Sequence, residues 1–479
     1  MNISGTIKSI QDIMRKDAGV DGDAQRIGQL VWLFFLKIFD DQEESLEILK
    51  DDYCSPIPEA LRWRNWAADP TGITGDTLME FVNNQLFKGL KELDPTLVGE
   101  RGLVVKNVFE DAYNYMKSGQ LLRQVINKIN EINFNKSEDR HLFGDIYEQL
   151  LKDLQSAGNA GEFYTPRAVT QLIVDLINPQ LGETILDPAC GTGGFLTCAI
   201  EHLRQQVTQP EENEVLQQSI RGVEKKPLPH LLCTTNMLLH GMEIPSFIRH
   251  DNTLASPLRD IQERDKVNII ITNPPFGGTE EDGIESNFPT NFQTRETADL
   301  FLVLIAKTLK NYGRAGVVLP DGTLFGEGVK TRIKEFLLRE CNLHTIVRLP
   351  NGVFNPYTGI KTNLLFFEKG KPTQTVWYWE HRYPEGVKNY NKTRPIRIEE
   401  FESLKAWWHN RVETEQAWQV PVATLEANGF NLDIKNPNME DAIHASPEEL
   451  LVKYKTVLSN LKAKQEDLKS ALASVLRQF

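Results

Sequence analysis

Between Gly161 and Gly370 the chain repeats one pattern. Short apolar runs, TILDP, IRGVE, FIRHD, VNIIITN, AGVVLP, HTIVRLP and TNLLFFE, alternate with longer stretches whose apolar residues fall three and four apart. The runs are short enough to be strands, and the stretches between them predict helices near Gly193–Leu203, Pro227–His240, Ala298–Leu309 and Val329–Arg339. Such alternation predicts an α/β fold, a doubly wound, mostly parallel sheet with helices on both faces. In these sheets a ligand sits beyond the carboxyl ends of the strands, so the residues that follow each run carry the functional argument.

After the first run comes DPACGTGGFL, where Gly191, Gly193 and Gly194 allow a sharp turn and close backbone approach while Asp187 stands at the strand end. The turn lacks G-x-G-x-x-G spacing, and an acid beside it would repel a phosphate. The second run ends on Glu224, a carboxylate suited to ribose hydroxyls. The third ends on Asp251, which could accept from an adenine amine. An acid at each of these three strand ends describes a pocket for an adenosine with a positive tail. Ahead of the sheet, GEFYTPRAVTQLIVDLI reads as a helix capped by Thr165 with Pro166 in its first turn, leaving free N–H groups for a carboxylate beside the aromatic wall of Phe163 and Tyr164.

The fourth run, VNIIIT, empties into Asn273-Pro274-Pro275-Phe276. The Asn273 side chain offers a carbonyl acceptor, and Pro274 offers a second on a stiff backbone with no competing donor. Two acceptors converging on an exocyclic amine would take both its hydrogens and leave its lone pair facing an electrophile. Phe276 could stack on the ring bearing that amine, which for a duplex base requires flipping out of the helix. The polar insertion TEEDGIESNFPTNFQTRETAD that follows is a candidate loop for closing over substrate.

Residues 1–155 read as an all-helical domain, since IGQLVWLFFLKIFDDQEESLEIL, LVVKNVFEDAYNYM and LLRQVINKINEI share the helical spacing. WRNWAADPTGITGD is its main internal loop, and KDLQSAGNAG the hinge into an α/β domain over 156–445. Within that domain, residues 371–445 give no assignable pattern. From 446 to 479, Ser446-Pro447-Glu448-Glu449 starts a helix on which Leu450, Tyr454, Val457, Leu461, Leu468, Ala471 and Val475 form one seam, to dock on this chain or on a partner. Net charge is 53 − 66 = −13. A chain that grips nucleic acid unaided usually has a basic surface, so either nucleic acid is not the substrate or a partner supplies much of the grip. The five cysteines, Cys54, Cys190, Cys198, Cys233 and Cys341, are never spaced C-x-x-C, which argues against a disulfide frame or zinc cluster; no metal is expected. No stretch approaches the roughly 20 apolar residues of a membrane span, and the N-terminus lacks a secretory core, so a cytoplasmic protein is expected.

DPACGTGGFL, NPPFGG and the GEFYTPR ahead of both resemble the signatures of amino-methylating DNA methyltransferases, specifically the modification subunit of type I restriction-modification systems. The resemblance extends to the N-terminal helices, GRAGVVLPDGTLFG, RLPNGVF and GFNLDIKNP. It implies the S-adenosylmethionine-dependent methyltransferase fold, with S-adenosylmethionine as donor and the N6 amine of adenine in double-stranded DNA as acceptor. It assigns Glu162, Phe163, Tyr164, Thr165, Pro166 and Arg167 to the cofactor's methionine end. Asp187, Gly191, Thr192, Gly193 and Gly194 form the turn around it, Glu224 takes the ribose and Asp251 the cofactor adenine. Asn273, Pro274, Pro275 and Phe276 take the target base, while Cys190 and Phe195 read as core. The family also implies a separate specificity subunit flanked by two modification subunits, and a restriction subunit that translocates and cuts. Clamps of the NPPF type also serve glutamine and RNA methylation, and a catalytically silent, cofactor-binding scaffold of a nuclease complex is a further alternative.

Overall fold

The computed structural model describes residues 3–110, 112–135, 144, 147, 150–151, 164–276, 278, 280–391, 393–438 and 447–476. The stretch expected to act as a hinge, residues 152–161, lies outside these, as does Ser446. Residues 1–435 form one compact unit and 436–479 a second.

The first unit opens with helices α1 (Ile3–Met14), α2 (Asp23–Leu49), α3 (Gly99–Glu110) and α4 (Gly119–Ile129). The centre of α2 is apolar on all sides and is correspondingly buried from Ile27 to Leu36. Trp32 on α2 meets Phe87 and Phe109 edge-on at 5.1 and 6.4 Å. The WRNW start of the expected loop instead coils into a helical turn, Trp63–Trp66. The remainder is held by Arg123 of α4, whose buried guanidinium donates to the carbonyls of Trp66, Ala67, Asp69 and Ile73. These bonds supply, in the protein interior, the partners that loop carbonyls otherwise find in water.

The second part is a nine-stranded sheet in the order β3-β2-β1-β4-β5-β7-β6-β8-β9. Its strands are β1 (Ile185–Asp187), β2 (Ile220–Glu224), β3 (Ile248–His250), β4 (Val267–Thr272), β5 (Leu309–Pro320), β6 (Cys341–Arg348), β7 (Thr362–Lys369), β8 (Thr375–Glu380) and β9 (Ala417–Pro421). All seven expected strands are present; helix α5 (Arg167–Ile177) precedes β1, and the longer helices between strands are α6 (Gly194–Arg204), α7 (Pro227–Leu239), α8 (Thr297–Thr308) and α9 (Val329–Glu340). The sheet is mixed. Strand β7 runs antiparallel to both β5 and β6, and β9 antiparallel to β8. The reversal follows from the connection: β6 reaches β7 through residues 349–361 with no crossover helix, which a parallel neighbour would need. The segment without a readable pattern supplies β8, β9 and the helix α10 (Glu402–His409), extending the sheet beyond β6.

Alternate residues on each strand point to opposite faces. Ile269 and Ile271 of β4, with Leu364 and Phe366 of β7, join a core covered by α5, α6 and α10. Ile270, Leu365 and Phe367 join another covered by α8 and α9. Helix α7 serves two cores. Its Cys233 and Met237 pack with the sheet, while Leu231, Leu232, Leu238 and Leu239 belong to the core of the N-terminal helices.

The second unit carries α11 (Pro447–Leu476), a 30-residue helix. Of the expected seam, Tyr454, Val457, Leu461 and Leu468 are exposed, as are Leu451, Val452 and Leu458 beside them. No described helix is long and apolar enough to cross a membrane. Four of the five cysteines are buried and all five are free.

Candidate active site

Chain order runs outward from β1 to β3 and then returns to β4 on the other side of β1, so the carboxyl ends of β1 and β4 flank the topological switch point. A cavity of about 270 Å³ opens there, lined among others by Thr165, Asp187, Gly191, Thr192, Gly194, Glu224, Asn273 and Pro275. Each arrives by a separate route: Asp187 from the end of β1, the glycines from the turn into α6, Glu224 from the end of β2, and Asn273 from just beyond β4.

The turn depends on its glycines. Gly191 and Gly193 adopt φ of 53° and 84°, in the left-handed region that side chains resist. A Cβ on Gly193 would also stand 2.9 Å from Cys233 Sγ and 3.0 Å from Met237 Cε, so the turn lies directly on α7. Glu224 locks it from the opposite side, accepting the N–H of Gly191 at 2.9 Å and of Lys226 at 2.7 Å. Asp187 is buried and accepts from Thr272 Oγ1 at 2.6 Å and from the Ala189 N–H at 3.1 Å. Burial outweighs those bonds and pushes its carboxyl up to about 7. Burial likewise raises the Glu224 carboxyl, against the N–H bonds of Lys226 and Gly191. Two acids held out of water favour a ligand that brings positive charge.

Asn273 is the most informative side chain. Its Nδ2 donates to Thr165 Oγ1 at 3.0 Å, which fixes the amide's orientation. Its Oδ1 is buried and accepts nothing from the described residues. An orphaned acceptor costs about 1–3 kcal/mol, and this one belongs to a residue of the cavity wall. Pro275 also lines the cavity, whereas Pro274 is buried and, like the half-buried Phe276, is not among its lining residues; Phe276 meets Phe354 edge-on at 5.7 Å and 75°.

The residues ahead of α5 fall differently from expectation. Pro166, not Thr165, occupies the cap position, and no side chain caps the helix. Thr165 is occupied with Asn273 instead. Arg167 turns away from the cavity to Thr197 and Glu201 on α6, and Tyr164 is buried in the core of the N-terminal helices. Glu162 and Phe163 lie outside the described residues. Gly193 faces α7, and Asp251 lines a neighbouring hollow rather than this one.

Cys190 and Phe195, expected as core, are buried and also form part of the cavity wall. None of Lys225, Glu280, Glu281 and Thr297 is singled out individually by the sequence, yet all four line the cavity, the last three from the polar insertion expected to close over substrate. Thr297 is buried at the start of α8 and binds the carbonyl of Gly278 through both its hydroxyl, at 2.9 Å, and its N–H, at 3.2 Å. It thereby anchors the chain just past Phe276. The polar insertion is itself docked: Phe288 and Phe292 are buried, Asn287 donates to the carbonyls of Leu254 and Ala255, and Phe292 meets Phe336 at 4.9 Å.

Comparison with known proteins decides the family. Residues 138–445 match the N-6 DNA Methylase family and residues 3–129 the HsdM N-terminal domain family. The chain is 63% identical over 485 residues to the methylase subunit of the type I restriction enzyme EcoEI of Escherichia coli, covering 99% of both. It belongs to the type I restriction enzyme methylase subunits. A modification subunit of a type I restriction enzyme from Vibrio vulnificus YJ016 superposes with a TM-score of 0.83 at 46% identity, over 92% of this chain and 98% of that one. A chain from a structural study of type I restriction-modification complex assembly gives 0.82 at 37% identity, over 98% of each. As a type I methylase subunit, the chain is an adenine-specific DNA methyltransferase with the S-adenosylmethionine-dependent methyltransferase fold. That membership sets aside glutamine and RNA as acceptors.

Proposed function

We propose that the cavity holds S-adenosylmethionine and that Asn273 delivers a flipped-out adenine to it, within a complex whose specificity subunit selects the site. The unpartnered Oδ1 of Asn273 carries this reading, because a residue of the cavity wall holds a buried acceptor that no described residue serves. Asp187, Glu224 and the turn at Gly191–Gly194 fit the cofactor: buried carboxylates suit its positive tail, and a backbone free of Cβ atoms allows close approach.

When bound, the cofactor supplies a methyl group activated by its sulfonium, so the protein's task is positioning and exclusion of water. Asn273 Oδ1 and the Pro274 carbonyl accept the two hydrogens of the adenine amine and aim its lone pair inward. Thr165 holds the Asn273 amide in the orientation that leaves Oδ1 free. Phe276 offers a face to the base, with Phe354 supporting it edge-on. Two such subunits flank one specificity subunit, which contributes the DNA grip that a net charge of −13 does not provide, and a restriction subunit completes the assembly. The exposed seam of α11 is the docking element on this side.

The test is co-expression with the specificity subunit followed by mapping of N6-methyladenine in host DNA. Site-specific methylation that disappears in Asn273→Ala is expected. Methylation that survives unchanged in that variant would remove Asn273 from the reaction.

A further inference from the structure

We infer that in this chain Glu280, braced by Lys225, reads the adenine edge of the cofactor, the part that the motif pattern gives to Asp251. This rests on the cofactor reading above. Past Glu224 the cavity wall is made by Lys225, Glu280 and Glu281. Lys225 Nζ lies 3.1 Å from Glu280 Oε2 and 3.0 Å from Glu281 Oε1. The two acids are not equivalent, since the Glu280 side chain is 11% exposed and that of Glu281 75%. Glu280 is the one held inside. Its Oε2 also receives Asn252 Nδ2 at 3.5 Å, and that amide is fixed in turn by the Leu254 N–H donating to Asn252 Oδ1 at 3.1 Å. The Glu280 N–H donates to the Arg295 carbonyl at 3.2 Å, which ties down its backbone.

One oxygen of Glu280 is therefore engaged, while Oε1 accepts no hydrogen bond from the described residues. Beside it stands an ammonium with two of its three protons committed. A free acceptor next to a free donor complements the edge of adenine, where the N6 amine donates and N1 accepts. A 6-oxo purine presents the reverse, an acceptor at position 6 and a donor at N1. Asp251 lines a different hollow. It is 49% exposed, accepts the Asn252 N–H at 2.8 Å, and lies 3.8 Å from Arg249 Nη1. The hollow it lines, of about 460 Å³, is shared with Arg221, Arg249 and Asp260.

Calorimetry on the full-length chain separates these assignments, using S-adenosylhomocysteine and its hypoxanthine counterpart as probes. The parent chain should prefer the adenine form by roughly ten- to a hundredfold, the range for losing one or two buried hydrogen bonds. Glu280→Gln should narrow that preference to within about threefold, because a carboxamide can present either its carbonyl or its amine. Glu281→Gln should leave it intact. A preference retained in Glu280→Gln, or lost in Asp251→Asn while Glu280→Gln keeps it, would overturn the assignment. So would a parent chain that binds both probes equally. Failure of the folded parent to bind S-adenosylhomocysteine at all is a different result, and removes the cofactor reading of the whole cavity.

Discussion

Replacing Asn273 with alanine should leave the fold as stable as before while nearly abolishing methyl transfer. The substitution deletes one hydrogen bond, Nδ2 to Thr165 Oγ1 at 3.0 Å, worth about 1 kcal/mol. It also deletes a buried acceptor with no partner, whose removal returns on the order of 1–3 kcal/mol. The two terms nearly cancel or leave a gain, so Tm should hold or rise by roughly one or two degrees. Catalysis is affected in the opposite sense. In the proposed mechanism Oδ1 meets positive charge that develops on the amine nitrogen during transfer, and removal of one such preorganised group lowers kcat by about 10²–10³. Binding of S-adenosylhomocysteine should not change, since the proposed mechanism gives Oδ1 to the base and not to the cofactor. The assay pairs labelled methyl transfer to duplex DNA, in the presence of the specificity subunit, with thermal denaturation and calorimetry of the same preparation. A kcat within threefold of the parent, or a Tm lowered by more than several degrees, would refute the reasoning, because the first denies the role and the second denies that the acceptor is strained.

Three further outcomes follow from the same geometry. Burial holds the Asp187 carboxyl near 7 against an ordinary 3.8, so the folded chain keeps a proton that the unfolded chain releases. The stability this group contributes is present in acid and declines as pH rises from about 4 to about 7; Asp187→Asn should flatten that slope in denaturant titrations and raise stability at pH 8. Gly193→Ala should destabilise by about 2–4 kcal/mol through its positive φ and the contact with Cys233, and should weaken S-adenosylhomocysteine binding in calorimetry. Removing residues 447–479 should leave Tm and cofactor affinity unchanged, since residues 1–435 form their own unit, while a pull-down loses the specificity subunit.

The parts of the structure that the sequence made legible are those governed by local periodicity. Runs such as VNIIIT must be buried on both faces, and β4 is. Asp187, Glu224 and Asn273 were legible for the same reason, since each directly follows or ends a strand and the switch-point rule then gathers them. The reversal of β7 was not, because TNLLFFE is as apolar in either direction and only the helix-free connection decides. Strands β8 and β9 escaped because their Trp and Tyr residues pack on α10 and on each other, as in the stacked pair Tyr378–Trp418, rather than in plain alternation. Thr165 carries a good capping side chain, yet its hydroxyl is spent on Asn273, a partner 108 residues away that no local rule supplies. Thr297 and Glu280 lie in a polar insertion whose composition resembles any surface loop. Only the fold shows that they face the cavity.

Helix α7 is a party wall. One side supplies Leu231, Leu232, Leu238 and Leu239 to the N-terminal helices, and the other presses Cys233 and Met237 against the turn at Gly193. Close-packed interiors transmit displacement instead of absorbing it. A shift of the helical bundle by even part of an ångström must then reach the glycines, so whatever grasps the amino-terminal portion has a mechanical handle on the chemistry without touching it.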